Sequence, residues 1–246
     1  MDGLPTVVEL LQSGVHFGHK TSKRHPKMES AIYSVRNGIH IIDLEKSLAS
    51  LEKACVFLKD LGKRGGTVLF VGTKSQAKDA VQSAAQSCGM PWVTTRWVGG
   101  SLTNFSVISK MIKAYKKQKE QRDSGELAKK YTKKEQLEIA RHINDQQKIL
   151  GGIENLSKQP DAVYIVDVKK DRTAFREALS QGVPIIAISD TNVNPDEITY
   201  PIFGNDDAVK AISLITHTLS KALMAGQSEA KAASSQVAVP EEPIKK

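Results

Sequence analysis

Nowhere do the 246 residues contain an apolar run approaching the roughly 20 needed to cross a bilayer, so no membrane-spanning helix is expected. The opening segment "MDGLPTVVEL" carries an acid early and has no apolar central stretch, so no secretory signal is expected. Cysteine is scarce. Cys55 and Cys88 are the only two, and each falls on the apolar stripe of a predicted helix. That argues for buried small hydrophobes in a reducing compartment and against a disulfide framework. The phosphate-loop patterns G-x-x-x-x-G-K-[ST] and G-x-G-x-x-G are missing, and no serine or cysteine sits in a recognisable nucleophile elbow. One absence is local: between Glu9 and Glu29 there is no carboxylate at all.

What is present is a soluble-protein composition, 40% hydrophobic and 25% charged, on a chain long enough for one core plus an appendage. The net charge of +8 and pI near 9.3 favour a polyanionic partner. Short β-branched runs recur: "IHII" at 39–42, "TVLFV" at 67–71, "WVTT" at 92–95, "AVYIV" at 162–166, "VPIIAI" at 183–188 and "TYPIF" at 199–203. Most are continuous rather than alternating, the pattern of strands buried on both faces. Helical stripes lie between them: Leu44, Leu48, Leu51, Cys55 and Leu58; then Ala77, Val81, Ala84 and Cys88; then Phe175 and Leu179; then Ala208, Ile212, Ile215 and Leu219. Alternating strand and helix predicts a doubly wound α/β domain with right-handed crossovers.

Positions 102–153 break that rhythm. They hold no strand signal, only two long helical patterns separated by "RDSGEL". Phe105, Ile108, Ile112 and Tyr115 face Ile139, Ile143, Gln146, Leu150 and Ile153 as the seam of an antiparallel helical hairpin projecting from the sheet domain. Residues 110–134 carry ten basic and three acidic side chains, which accounts for seven of the eight net charges. Charge concentrated on a projecting segment points to nucleic acid or another acidic partner, against the plainer reading of a solvated helix face. The segment 227–246 lacks periodicity and aromatics and is expected to be a disordered tail.

Three constellations invite chemistry. "FVGTKSQAKDAV" is strand, turn and helix, with Gly72 allowing close backbone approach and Lys74 placed to meet a nucleic-acid phosphate. Asp43, Asp167 and Asp190 each follow a strand, where an open parallel sheet gathers ligands, and a Mg²⁺-dependent phosphoryl-transfer enzyme can be built so. Asp is equally a helix cap and turn former. "TTRWVGGSLTNF" sets Arg96 beside Trp97 at a strand end, suited either to RNA contact or to packing at the hairpin's root. The acid-free stretch "VHFGHKTSKRHPK" holds His16, His19 and His25 with Lys20, Lys23, Arg24 and Lys27. With no carboxylate or cysteine nearby, a metal site is not expected, and the cations suit an extended loop along a phosphate backbone. A basic loop with one histidine packed on the sheet domain is the alternative.

Eight segments, in order, resemble one family: "GVHFGHKTSKRHPKM", "GIHIIDLEKS", "LFVGTKSQA", "RWVGGSLTN", "LGGI", "PDAVYIVDV", "GVPIIAISDTN" and "GNDDAVKAI". The family is that of bacterial-type ribosomal small-subunit protein two, and the likeness spans about residues 5–225. It implies a three-layer, flavodoxin-like parallel sheet with the helical hairpin, a coiled coil, inserted after the third strand. The sheet domain would be discontinuous, 1–101 and 159–226, around an insertion at 102–158. The resemblance also implies binding to small-subunit rRNA and to neighbouring ribosomal proteins, in the cytoplasm or an organelle, with no enzymatic activity, cofactor, membrane or small-molecule substrate. The RNA contacts expected from it fall to Lys20, Lys23, Arg24, Lys27, Lys74, Arg96, Lys110, Lys113, Lys116 and Lys117.

Overall fold

The continuous apolar runs become the middle of a five-stranded parallel sheet in the computed structural model, which describes residues 3–127 and 131–237. The sheet comprises β4 (Val68–Val71), β5 (Trp92–Val93), β6 (Ala162–Ile165), β7 (Ile185–Ser189) and β8 (Tyr200–Phe203) in the order β5-β4-β6-β7-β8. All four pairings are parallel, and every residue of β4, β6 and β7 is buried. Renumbered within the sheet, this is the flavodoxin-like order 2-1-3-4-5.

Alternate residues feed two cores. Phe70, Tyr164, Ile186 and Ile188 join the first, beneath α2 (Leu44–Lys63), α3 (Lys78–Ser87) and α7 (Val209–Val237). Leu69, Val71, Val163, Ile165 and Ala187 join the second, beneath α6 (Arg172–Ser180) and the facing ends of α4 (Phe105–Asp123) and α5 (Lys133–Leu150). In α6 the buried stripe is Ala174, Phe175 and Ala178, while Leu179, expected on it, is exposed. Cys55 and Cys88 are buried and free, and burial pushes their thiols up to about 12 and about 11.

One expected strand belongs elsewhere. β3 (Ile39–Ile42) is not in the parallel sheet but is the centre of an antiparallel one, flanked by β1 (Phe17–Lys20) and β2 (Ile32–Arg36). β2 and β3 are joined by Asn37–Gly38, both at positive φ (51° and 74°), the two-residue turn that matches strand twist. The expected insertion point, after the third strand, counts Ile39–Ile42 as the first. In the parallel sheet α4 and α5 follow the second strand, β5. Likewise "VHFGHKTSKRHPK" is not one extended loop. It contains β1 and a 3-10 turn at Thr21–Lys23, and its end starts a second at Pro26–Ala31.

The chain's last described helix, α7, runs on through Val237, eleven residues into the segment expected to be disordered. Alanines, lysine and glutamate favour the helix intrinsically, and Glu229 is held by Lys59 (2.6 Å) and Lys63 (3.0 Å) of α2. Residues 238–246 of that segment lie outside the described residues. Two glycines let α2 and α7 touch: a Cβ on Gly226 would strike the Lys59 carbonyl, and one on Gly62 the Leu223 carbonyl. Backbone cannot yield as a flexible side chain can, so Gly226→Ala is expected to cost about 1–3 kcal/mol. An unfolding free energy from urea denaturation within about 0.5 kcal/mol of the parent would show that the helices separate freely.

Candidate functional site

The carboxyl ends of β4, β6 and β7 carry a compact cluster of charge. Lys74, in the turn after β4, is only 8% exposed. Its Nζ lies 3.1 Å from Asp167 Oδ2, 3.0 Å from Asp206 Oδ1 and 2.7 Å from Asp207 Oδ1. Burial opposes its charge, but the hydrogen bond to Asp207 and the field of Asp206 and Asp167 outweigh this and raise its pKa. The expected phosphate contact at Lys74 therefore meets an ammonium already committed inside the protein. Asp206 shows the converse: burial, then Asp167 and Asp190, push it up to about 7 against the pull of Lys74.

The N-terminal segment crosses this cluster as a strap. His19 N–H donates to Asp190 Oδ1 (3.2 Å) and Thr191 Oγ1 (3.0 Å), and His25 N–H donates to the Thr191 carbonyl (2.8 Å). Gly18 permits the approach, since a Cβ there would lie 2.6 Å from Thr191 Cγ2. The His19 ring places Nδ1 2.9 Å from Asp190 Oδ2 and Nε2 3.6 Å from Asp207 Oδ2. The hydrogen bond that the ring donates to Asp190 raises the imidazole's pKa despite its burial. Donor atoms of His19, Asp206 and Asp207 all lie within 4.8 Å of one another, a set able to hold a divalent cation. The local sequence gave no hint of this, because the carboxylates come from the far end of the chain. Lys74 already supplies positive charge to the same two aspartates.

The other two histidines do different work. The His16 ring lies against that of Phe17, tilted by 39° with centroids 4.0 Å apart, and burial lowers its pKa. His25 Nδ1 accepts the Lys27 N–H at 3.3 Å and caps the second 3-10 turn. Asp43 is a plain N-cap: its Oδ1 accepts the N–H groups of Glu45 and Lys46.

The expected cations are scattered. Lys20, Lys23, Arg24 and Lys27 are exposed along the strap, with Arg24 3.7 Å from Glu29 and Lys27 2.6 Å from Asp196. Lys110, Lys113 and Lys117 are exposed on α4 and make no ion pair among the described residues, while Lys116 Nζ reaches Asn155 Oδ1 at 3.4 Å. Arg96 is exposed at the mouth of a cavity after β5. Its neighbour Trp97 is turned inward and donates Nε1–H to Glu177 Oε1 at 3.0 Å.

Glu177, on α6, was not expected to matter. Its carboxylate accepts from Trp97, from the backbone N–H groups of Gly100 (2.8 Å), Leu102 (3.0 Å) and Thr103 (3.3 Å), and from the Thr103 hydroxyl. Burial works against the charge, but these bonds win and lower its pKa. The "RWVGGSLTN" loop is thus gathered around one buried carboxylate, which explains the Trp and the glycines structurally.

Known proteins resemble this chain closely. The family described as Ribosomal protein S2 matches residues 10–226. A small ribosomal subunit protein uS2 of Acidothermus cellulolyticus is 47% identical over 240 residues, covering 97% of this chain and 87% of that protein. The uS2 proteins of Micrococcus luteus and Fusobacterium nucleatum are 47% and 46% identical, over 90% and 89% of this chain and 78% and 88% of their own lengths.

Proposed function

Because the chain belongs to the ribosomal protein S2 family, we propose that it is a structural constituent of the small ribosomal subunit, held there by rRNA and by neighbouring ribosomal proteins. The observation that carries this is the family match across 10–226, which takes in both the parallel sheet and the two long helices. Its place is the cytoplasmic ribosome, and its role is not enzymatic. The internal pairing of Lys74 with Asp167 and Asp206 supports that reading, since these groups balance one another.

α4 and α5 form the inserted antiparallel hairpin of this proposal. Ile108, Ile112 and Tyr115 share one buried cluster with Ile143 and Leu150, and the two helices pack on each other, as a coiled-coil seam requires. The insertion, 102–158, divides a sheet domain made of 1–101 and 159–226. Lys110, Lys113, Lys116 and Lys117 on α4, with Lys20, Lys23, Arg24 and Lys27 on the strap and Arg96 at the sheet edge, are the proposed phosphate contacts. The exposure of all of these but the half-buried Lys116 supports this. Lys74 acts indirectly, by holding the strap's acidic anchor together.

The test is sedimentation. The full tagged chain is expected to travel with small ribosomal subunits at low salt. Persistent residence in the free soluble fraction under those conditions would overturn the proposal.

A further inference from the structure

The turn Val168–Asp171 follows β6 and leads into α6. It reads "VKKD", and Arg172 comes next. Lys169, Lys170, Arg172 and Arg176 are all exposed, and none makes an ion pair among the described residues. Lys20, Lys23, Lys110, Lys113 and Lys117 are likewise exposed and without an ion pair among the described residues. Lys27, Lys46, Lys59, Lys63, Lys74, Lys119, Lys148 and Lys158 all lie within 4 Å of a carboxylate oxygen. The one acid in the turn, Asp171, is buried and points inward, where it accepts from the Thr73 hydroxyl (2.7 Å) and N–H (3.2 Å).

The turn also stands between two cavities. On one side a cavity of about 400 Å³ is lined by Thr73, Thr95, Arg96, Lys170 and Thr173. On the other a cavity of about 440 Å³ is lined by His25, Lys169, Arg172, Asn192 and Asn194. Glu197, the acid beside the second, is bonded to Asn194 Nδ2 at 2.7 Å. The first cavity sits at the point where strand order reverses: α3, after β4, covers one face of the sheet, and α6, after β6, covers the other. Loops diverge there and leave a crevice. One carboxylate lines each cavity, Asp171 turned inward on Thr73 and Glu197 bonded to Asn194, and the cations, hydroxyls and amides that outnumber them on both flanks of one ridge make a surface for a chain of phosphates.

Resting on the reading above as an rRNA-binding protein, we propose that this ridge seats the sugar–phosphate backbone of RNA, with Arg96 and Lys170 on one flank and Lys169, Arg172 and His25 on the other. The hydroxyls of Thr95 and Thr173 and the amides of Asn192 and Asn194 face phosphate and ribose oxygens. The cation that meets phosphate at the sheet edge is Lys170, not the buried Lys74. Recognition here is of backbone and shape, without base reading.

The test compares the full chain with K169Q/K170Q/R172Q and with R96Q in binding to small-subunit rRNA across about 50–200 mM salt. All four residues are exposed, and thermal melts confirm folding. The triple variant is expected to bind about tenfold more weakly, with a log–log salt slope shallower by about 2, and R96Q with a slope shallower by about 0.7. Parental affinity and slope in both variants, beside a parent that binds, overturn this inference and leave the ribosomal role standing. A parent that does not bind rRNA overturns the role itself. A nucleoside monophosphate that competes at the parent, and whose binding these substitutions abolish, reassigns the crevice to a small phosphorylated ligand and overturns the RNA reading.

Discussion

Replacing Glu177 by alanine is expected to cost the folded chain about 3–5 kcal/mol, the range seen when one side of a buried charged network is removed. The carboxylate serves five donors: the Trp97 indole, three backbone N–H groups and the Thr103 hydroxyl. Alanine leaves them without an acceptor; the Trp97 indole and the Leu102 N–H are buried, and each buried orphan donor costs about 1–3 kcal/mol before the loop relaxes. Glu177→Gln keeps the shape but turns an amide NH2, itself a donor, toward donors, so it should fall between alanine and the parent. Guanidinium denaturation at pH 7 reads the order directly. A difference under about 0.5 kcal/mol for alanine would mean the loop carries no strain from losing its anchor. The pH sign also follows. A carboxyl whose folded pKa is lowered contributes stability above its unfolded value, and that contribution fades as pH falls through the folded value.

Lys74→Met is the second large effect, again about 3–5 kcal/mol at pH 8. Methionine fills the volume of the lysine stem but leaves Asp167 and Asp206 without the cation that now sits 3.1 and 3.0 Å away. Here the pH dependence runs the other way from Glu177. Asp206 has a folded pKa of about 7, above its unfolded value, so the folded state holds more protons between the two. Stability from this group therefore declines as pH rises through that window. His19 acts in the same sense: its raised pKa gives a contribution complete below the ordinary imidazole value and lost as pH climbs through the folded one. Removing Lys74 takes away the force that lowers Asp206, so the variant should regain much of its stability at pH 5.5. Denaturation at the two pH values separates the outcomes. An equal loss at both would mean that the cost is packing and not charge.

The roles of Glu177 and Lys74 are set by residues far away in the sequence. The parallel strands were legible because burial on both faces demands unbroken apolar runs, and "TVLFV", "AVYIV" and "VPIIAI" supply them. The antiparallel sheet was not, although Asn37–Gly38 between "IYSVR" and "IHII" is a strong hairpin signal. The periodicity favours Leu179 over the stripe that is buried, Ala174, Phe175 and Ala178, because alanine adds little hydrophobic weight to it. The site fared worse for a physical reason. An exposed and a buried lysine look alike in one dimension. Lys74 is neutralised by Asp167, Asp206 and Asp207, which only the strand order brings to it. Lys169 and Lys170 stand free because Asp171, their neighbour in sequence, turns away from them.

The strap has a consequence for how the chain is made. His19 and His25 find their partners at Asp190 and Thr191, and Lys74 finds two of its own at Asp206 and Asp207. A chain emerges from the ribosome amino end first. The first strand of the small sheet meets its neighbour β3 early, but its fastening to Asp190 and Thr191 must wait until nearly the whole protein has been synthesised. Contacts this distant along the chain form late and slowly. During that interval the basic "KTSKRHPK" segment is free to meet polyanions before the acids that will pin its neighbours have appeared.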